Sequence, residues 1–183
     1  MNINPEQFYT YKSLFSVRRT QSASNFKNIC KAAKKGDADA QFILGEIYFY
    51  GIGFQLNYPE ALKWFLKAAK QGNLDAQGIL GDMYLNGIGV QWNYAEAFQW
   101  YLKAAERGNL DAQCHLGDMY QFGEEVPVDY TEAARWYLKA AKQGYAKGQN
   151  YMWDMCKHGR GVPKDYTEAF QWCLKAAKQG HAN

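Results

Sequence analysis

Glu46, Asp82, Asp118 and Asp154 recur at intervals of 36 residues along a chain of 183. Carboxylates repeated in this way could supply a general acid and a general base, as in glycoside hydrolysis. If each stands on the same turn of successive packed helices, neighbours lie about 8 to 10 Å apart. That is close to the roughly 6.5 to 9.5 Å of an inverting pair. A working pair, however, needs two environments that push its pKa values apart. Every copy here sits at the same place in its repeat, with no distinguishing neighbour in the sequence. Duplication explains the spacing better than catalysis, and no catalytic residue is assigned. His115, His158 and His181 are scattered, and none stands at a metal-ligand or triad spacing from suitable partners. No metal or cofactor site is assigned. Gly51-Ile52-Gly53 and Gly87-Ile88-Gly89 lack the strand-before-helix setting of a phosphate loop, and are read as turns.

The net charge of +3 is too small to argue nucleic-acid binding by itself. No apolar run approaches the roughly 18 residues of a membrane span. The N-terminus, Met1-Asn2-Ile3-Asn4-Pro5-Glu6-Gln7, has neither a basic nor an apolar segment of a secretory signal. Cys30, Cys114, Cys156 and Cys173 occupy unrelated repeat positions and form no CxxC. These features predict free thiols in a reducing compartment, hence a cytoplasmic protein. Delivery to a host or neighbouring cell by a signal-independent route stays open.

The carboxylates belong to a larger pattern. Ala61-Leu62-Lys63-Trp64-Phe65-Leu66-Lys67-Ala68-Ala69-Lys70-Gln71-Gly72 returns from Ala97, Ala133 and Ala169. A period of 20 to 50 residues marks stacked supersecondary units. The predicted units span 37–72, 73–108, 109–144 and 145–180, followed by a tail at 181–183. Residues 1–36 form a degenerate helix pair that caps the array, with Asn4 and Pro5 opening its first helix. Within a unit, apolar residues fall at helical spacings of three and four, as in Ala76, Leu80, Met83 and Tyr84. Gly87-Ile88-Gly89-Val90 breaks that helix, and Gly108 ends the next. Each unit is thus a helical hairpin. Gly45, Gly81 and Gly117 recur inside helices at about 1 kcal/mol each relative to Ala, which predicts close helix approach. Trp64, Trp100, Trp136 and Trp172 are predicted to fill the joints between hairpins.

The pattern Ala-x-x-x-Leu-Gly-x-x-Tyr-x-x-Gly-x-Gly, then Asp/Asn-Tyr-x-x-Ala-x-x-Trp-x-x-Lys-Ala-Ala-x-x-Gly, resembles the Sel1-like repeat, a relative of the tetratricopeptide repeat. In the first unit it reads Ala40, Leu44, Gly45, Tyr48, Gly51, Gly53, Asn57, Tyr58, Ala61, Trp64, Lys67, Ala68, Ala69 and Gly72. The resemblance implies an all-α, right-handed superhelical solenoid. It also implies a non-enzymatic adaptor, of a family commonest in bacteria, that binds a partner protein or peptide on its concave face. By the same resemblance the first helices line that face. The outward positions would be Phe42, Glu46, Phe49 and Tyr50 in unit one, and Asp82, Leu85 and Asn86 in unit two. Units three and four would add Asp118, Gln121 and Phe122, then Asp154 and Lys157. This gives an acidic ladder with an aromatic end, suited to a partner with basic segments.

Two alternatives accompany this reading: an immunity or inhibitor protein that caps a toxin, and a weak hydrolase or penicillin-binding activity of the sort claimed for some relatives. Second helices carry a basic convex stripe, including Lys63, Lys67, Lys70, Lys103, Lys139 and Lys175, read as solvated and not as a nucleic-acid or lipid site. Gly123-Glu124-Glu125-Val126-Pro127 lacks the second loop glycine, which predicts a different loop path. Trp153 replaces the helix glycine in unit four, which predicts a splayed hairpin. No polar capping helix follows the last unit, so self-association through that end is a further expectation.

Overall fold

The computed structural model describes residues 22–53 and 55–179. The first helix of the expected N-terminal pair lies outside them. The described residues form nine helices: α1 (Ser22–Lys34), α2 (Ala38–Tyr50), α3 (Tyr58–Lys70), α4 (Leu74–Asn86), α5 (Tyr94–Glu106), α6 (Leu110–Phe122), α7 (Tyr130–Lys142), α8 (Ala146–His158) and α9 (Tyr166–Ala177). No strand occurs among the described residues, and α2 to α9 make four consecutive hairpins.

The helix boundaries follow from side chains that satisfy the orphan donors of a first turn. Asp37, Asn73 and Asn109 accept from the backbone N–H three residues on, at 2.7, 2.9 and 2.8 Å. Asn57, Asn93, Asp129 and Asp165 cap the second helices in the same way. The first helices end in left-handed glycines at 51, 87, 123 and 159. Each hairpin is closed by one repeated bond, in which the N–H of Asn57, Asn93, Asp129 or Asp165 donates to the carbonyl of Tyr48, Tyr84, Tyr120 or Cys156 at 2.8 to 3.0 Å.

Those repeated bonds correct two expectations. The fourth hairpin is not splayed, because Asp165 reaches Cys156 at 3.0 Å as its counterparts do. In the other units the space over the helix glycine is filled by a ring from the second helix. A Cβ on Gly45, Gly81 or Gly117 would stand 2.6, 2.3 and 2.3 Å from Phe65, Tyr101 and Tyr137. The residue at that second-helix position in unit four is Cys173. By position, large and small have changed places, and Trp153 is 36 % exposed. The third loop also keeps its path. Glu125 takes φ 66°, the left-handed conformation that Gly53, Gly89 and Gly161 adopt in the other units. A non-glycine residue holds that conformation at a cost of roughly 1 to 2 kcal/mol.

The joints between units are built from alanines and glutamines. Gln77, Gln113 and Gln149 are buried and donate from Nε2 to the carbonyls of Ala69, Ala105 and Ala141 in the preceding helix, at 3.0, 3.0 and 3.4 Å. Gln71, Gln143 and Gln179 in turn donate to the Oε1 of Gln41, Gln113 and Gln149. The one substitution in this series, Arg107, donates instead to the Gly72 carbonyl and leaves the buried Gln77 Oε1 without a partner. Trp64, Trp100, Trp136 and Trp172 are all buried, and a lysine ammonium lies over each ring at 3.5 to 4.4 Å. The convex lysines Lys67, Lys103, Lys139 and Lys175 therefore shield the joint tryptophans while remaining exposed to water.

Candidate binding face

The first helices, the expected inner row of the array, approach one another from α4 onward. α4 touches α6 and α6 touches α8 directly, whereas neither α2 with α4 nor the second helices with one another make comparable contact. The inner row is tied across units by polar side chains: Asn73 donates to Asp39 at 3.2 Å, Tyr145 to Asp111, and Tyr151 to Asp118 at 3.2 Å.

The glycine gaps decide how the carboxylates on this row are held. With no Cβ on Gly81, the Tyr101 ring lies against α4 and its hydroxyl donates to Asp82 Oδ1 at 2.6 Å. The same construction places the Tyr137 hydroxyl 2.7 Å from Asp118 Oδ1 and 3.3 Å from Gln121 Oε1. Asp118 Oδ2 accepts from Tyr151, whose ring stacks on Tyr137 with centroids 4.3 Å apart. His115 stacks on Tyr101 at 4.8 Å and brings Nε2 to 3.6 Å from Asp82 Oδ1. The Asp82 side chain is 47 % exposed, so the clamped carboxylate still faces solvent.

Surrounding protein displaces water and raises the Asp82 carboxyl above its usual range, while His115 and the Tyr101 hydroxyl oppose the rise. Burial lowers the His115 imidazole, against the pull of Asp82. Burial likewise raises Tyr101, Tyr137 and Tyr151 and pushes the Cys114 thiol up to about 12. These phenols and this thiol are held neutral, as hydrogen-bond donors and packing groups.

The remaining expected positions divide. Asn86 and Phe122 are exposed, with Asn86 Nδ2 donating back to the Asp82 carbonyl at 2.9 Å. Asp154 is paired with His158 at 3.3 Å and Arg160 at 3.3 Å, and Lys157 lies over the Trp153 ring at 4.6 Å. Three expectations for unit one and one for unit two need correction. Glu46 does not point freely outward; it is 7 % exposed. Phe42 and Phe49 are half-buried and spend their rings on Phe65 at 5.8 and 6.0 Å, with Phe49 also against Tyr58 and Tyr50. Leu85 is half-buried and packs on the core beneath unit three. The ladder is also not uniform, because Asp82 and Asp118 have different neighbours and Lys147 brings positive charge near Asp82 and His115. Tyr101, Tyr137, Tyr151, His115 and Lys147 were not anticipated as groove residues. Tyrosine 20 residues after the helix glycine in units two and three, against Phe65 in unit one, was the available signal.

Among the described residues no group of three His, Cys, Asp or Glu side chains is placed to hold a metal ion. All four cysteines are free thiols. No helix among the described residues is long and apolar enough to cross a membrane.

A four-hairpin helical solenoid with a clamped polar row on its inner helices is an open scaffold architecture. The Sel1 repeat model matches residues 38–73, 74–109, 110–145 and 148–181, and the chain belongs to that family. Sel1 repeat proteins are generally protein-interaction scaffolds. Among solved structures, the chain is similar to a protective antigen of uropathogenic Escherichia coli with this repeat fold, at 42 % identity and a TM-score of 0.83, over 85 % of this chain and 33 % of that one. It is similar to a Sel1 repeat protein of Oxalobacter formigenes at 38 % identity and a TM-score of 0.80, over 85 % and 62 %. It is also similar to the cysteine rich protein B of Helicobacter pylori at 26 % identity and a TM-score of 0.53, over 67 % and 90 %. The chain therefore spans about a third and about three fifths of the lengths of the first two. No curated protein matches it.

Proposed function

We propose that this chain is a non-enzymatic scaffold that binds a segment of another protein along the inner helices α2, α4, α6 and α8. The observation that carries the reading is the pair of carboxylates held in place by tyrosines reaching through the glycine gaps. Asp82 and Asp118 are oriented before any partner arrives, so binding loses little side-chain freedom there. Around them Asn86 and Phe122 are exposed, and Trp153 and Lys157 edge the far end. The row grades from acidic at α2 and α4 toward basic at α8, where Lys147, Lys157 and, just past the helix, Arg160 accompany Asp154. A partner segment of matching polarity is basic at one end and polar or acidic at the other.

The half-exposed state of Asp82 argues for recognition in preference to turnover. Electrostatic catalysis draws its strength from a water-excluded site, and this carboxylate faces solvent. Charge reversal by Asp82→Lys with Asp118→Lys is expected to weaken partner binding by at least tenfold with helicity unchanged. Undiminished affinity would contradict the reading.

A second surface supports self-association. Tyr166, Phe170 and Leu174 stand one helical turn apart on α9 and are 64, 64 and 41 % exposed. The counterparts of Leu174 (Leu66, Leu102 and Leu138) and of Phe170 (Leu62, Phe98 and Ala134) belong to or pack against core clusters within the array, whereas Tyr130, a counterpart of Tyr166, is exposed there too. A second copy stacked on α9 would cover this stripe. Elution volume in size-exclusion chromatography is expected to fall with rising protein concentration, and Phe170→Glu to abolish the change. A volume independent of concentration would contradict self-association.

A further inference from the structure

The three joints of the inner row are built on one plan with different residues. Between α4 and α6, Asp82 meets the Tyr101 hydroxyl and His115. Between α6 and α8, Asp118 meets two tyrosine hydroxyls, and the position 36 residues after Asp111 is Lys147. Between α2 and α4 every such partner is missing. Phe65 stands where Tyr101 and Tyr137 stand, and Ile79 where His115 and Tyr151 stand. The first of these removes the hydroxyl donor and the second removes the donor or cation from the next helix. Glu46, more than nine-tenths buried, is left with the second acid Asp75 as its charged neighbour.

A buried carboxylate without a partner is expensive, and like charge beside it adds to the cost. Burial first, and Asp75 second, raise the Glu46 carboxyl to about 7. A structural role would be served better by glutamine, which fits the same space without charge. Keeping an acid there, beside an exposed Asp75, makes sense where a positive group arrives from outside.

We propose that the α2–α4 end of the inner face receives a cationic side chain of the bound protein, a guanidinium or an ammonium, between Glu46 and Asp75. This rests on the inner face being the binding surface. Asp75 is exposed and Glu46 nearly buried, so the exposed acid would meet the cation first and the buried one would hold it. Phe42, half-buried on the same helix, supplies an apolar wall for the aliphatic stem. The incoming cation does for Glu46 what His115 and Lys147 do at the later joints.

The test uses a short fluorescein-labelled peptide with one central arginine flanked by leucine and serine, and the same peptide carrying citrulline, the neutral isostere. Wild-type protein is expected to bind the arginine peptide about tenfold or more tightly than the citrulline peptide, a difference of one hydrogen-bonded charge pair. Glu46→Gln is expected to erase that preference while the free protein melts no lower than wild type. Asp75→Asn, at an exposed site, provides a second variant expected to reduce the preference without affecting folding. Equal affinity for the two peptides, absence of binding included, overturns the proposal. So does an arginine preference that survives both substitutions. Where Asp82→Lys with Asp118→Lys weakens a natural partner and neither Glu46→Gln nor Asp75→Asn does, the inner-face reading stands and the Glu46 site falls.

Discussion

Trp100→Ala is expected to lower the unfolding free energy by about 3 to 5 kcal/mol, the usual cost of emptying a buried tryptophan site. Trp100 belongs to α5 but is buried among Ala61, Phe65, Ala68, Ala69, Ala76, Leu80 and Met83 of α3 and α4. Its ring therefore joins two hairpins, and its removal weakens an interface as well as a core. In a linear array stability is roughly the sum of units and nearest-neighbour interfaces. A domain of ordinary stability has about 5 to 15 kcal/mol in total, so one joint is a large fraction. Urea unfolding followed by far-ultraviolet circular dichroism measures the change. Trp92, 63 % exposed, is the control, and Trp92→Ala should move the midpoint little. A loss below about 1 kcal/mol for Trp100→Ala would contradict the joint role, since core truncations of this size cost several times more.

Gly81→Val is expected to cost about 3 kcal/mol, at the upper end of overpacking penalties. Even the first carbon of a side chain would lie 2.3 Å from the Tyr101 ring, which is fully buried and has nowhere to retreat. The gain in helix propensity over glycine, at most about 1 kcal/mol, is too small to compensate. The fourth unit suggests the rescue. There the glycine is Trp153 and the facing residue is Cys173. Tyr101→Cys in the Gly81→Val background should recover more than half of the lost stability, giving a strong coupling in a double-mutant cycle. Additive effects would show that the two residues do not share one space.

The helical hairpins and the family were legible because each rests on local chemistry repeated four times. Asn73, Gly87 and the Ala104-Ala105 pair carry their meaning within one or two turns of helix. The fate of individual side chains on the expected face was not legible. Glu46 and Asp82 are interchangeable by position, yet one is buried and the other half-exposed. The difference comes from Phe65 and Ile79 on neighbouring helices, in place of Tyr101 and His115. Trp153 misled for the same reason: it was judged within its own helix, whereas the facing position on the next helix holds the small Cys173. Glu125 misled in the opposite sense, because the loop geometry outweighed the preference of one residue. Tyr101 and Tyr137 place only their rings in the core, and their hydroxyls reach Asp82 and Asp118.

The central claim is that partners bind the inner helices through Asp82 and Asp118. The most direct measurement compares one captured partner against three proteins: wild type, Asp82→Lys with Asp118→Lys, and Lys103→Glu with Lys139→Glu on the opposite face. The account predicts that inner-face reversal weakens binding by tenfold or more, about 1.4 kcal/mol at least, while reversal on the second helices leaves affinity within about twofold of wild type. Loss of binding from the second-helix protein, with the inner-face protein unaffected, would contradict it.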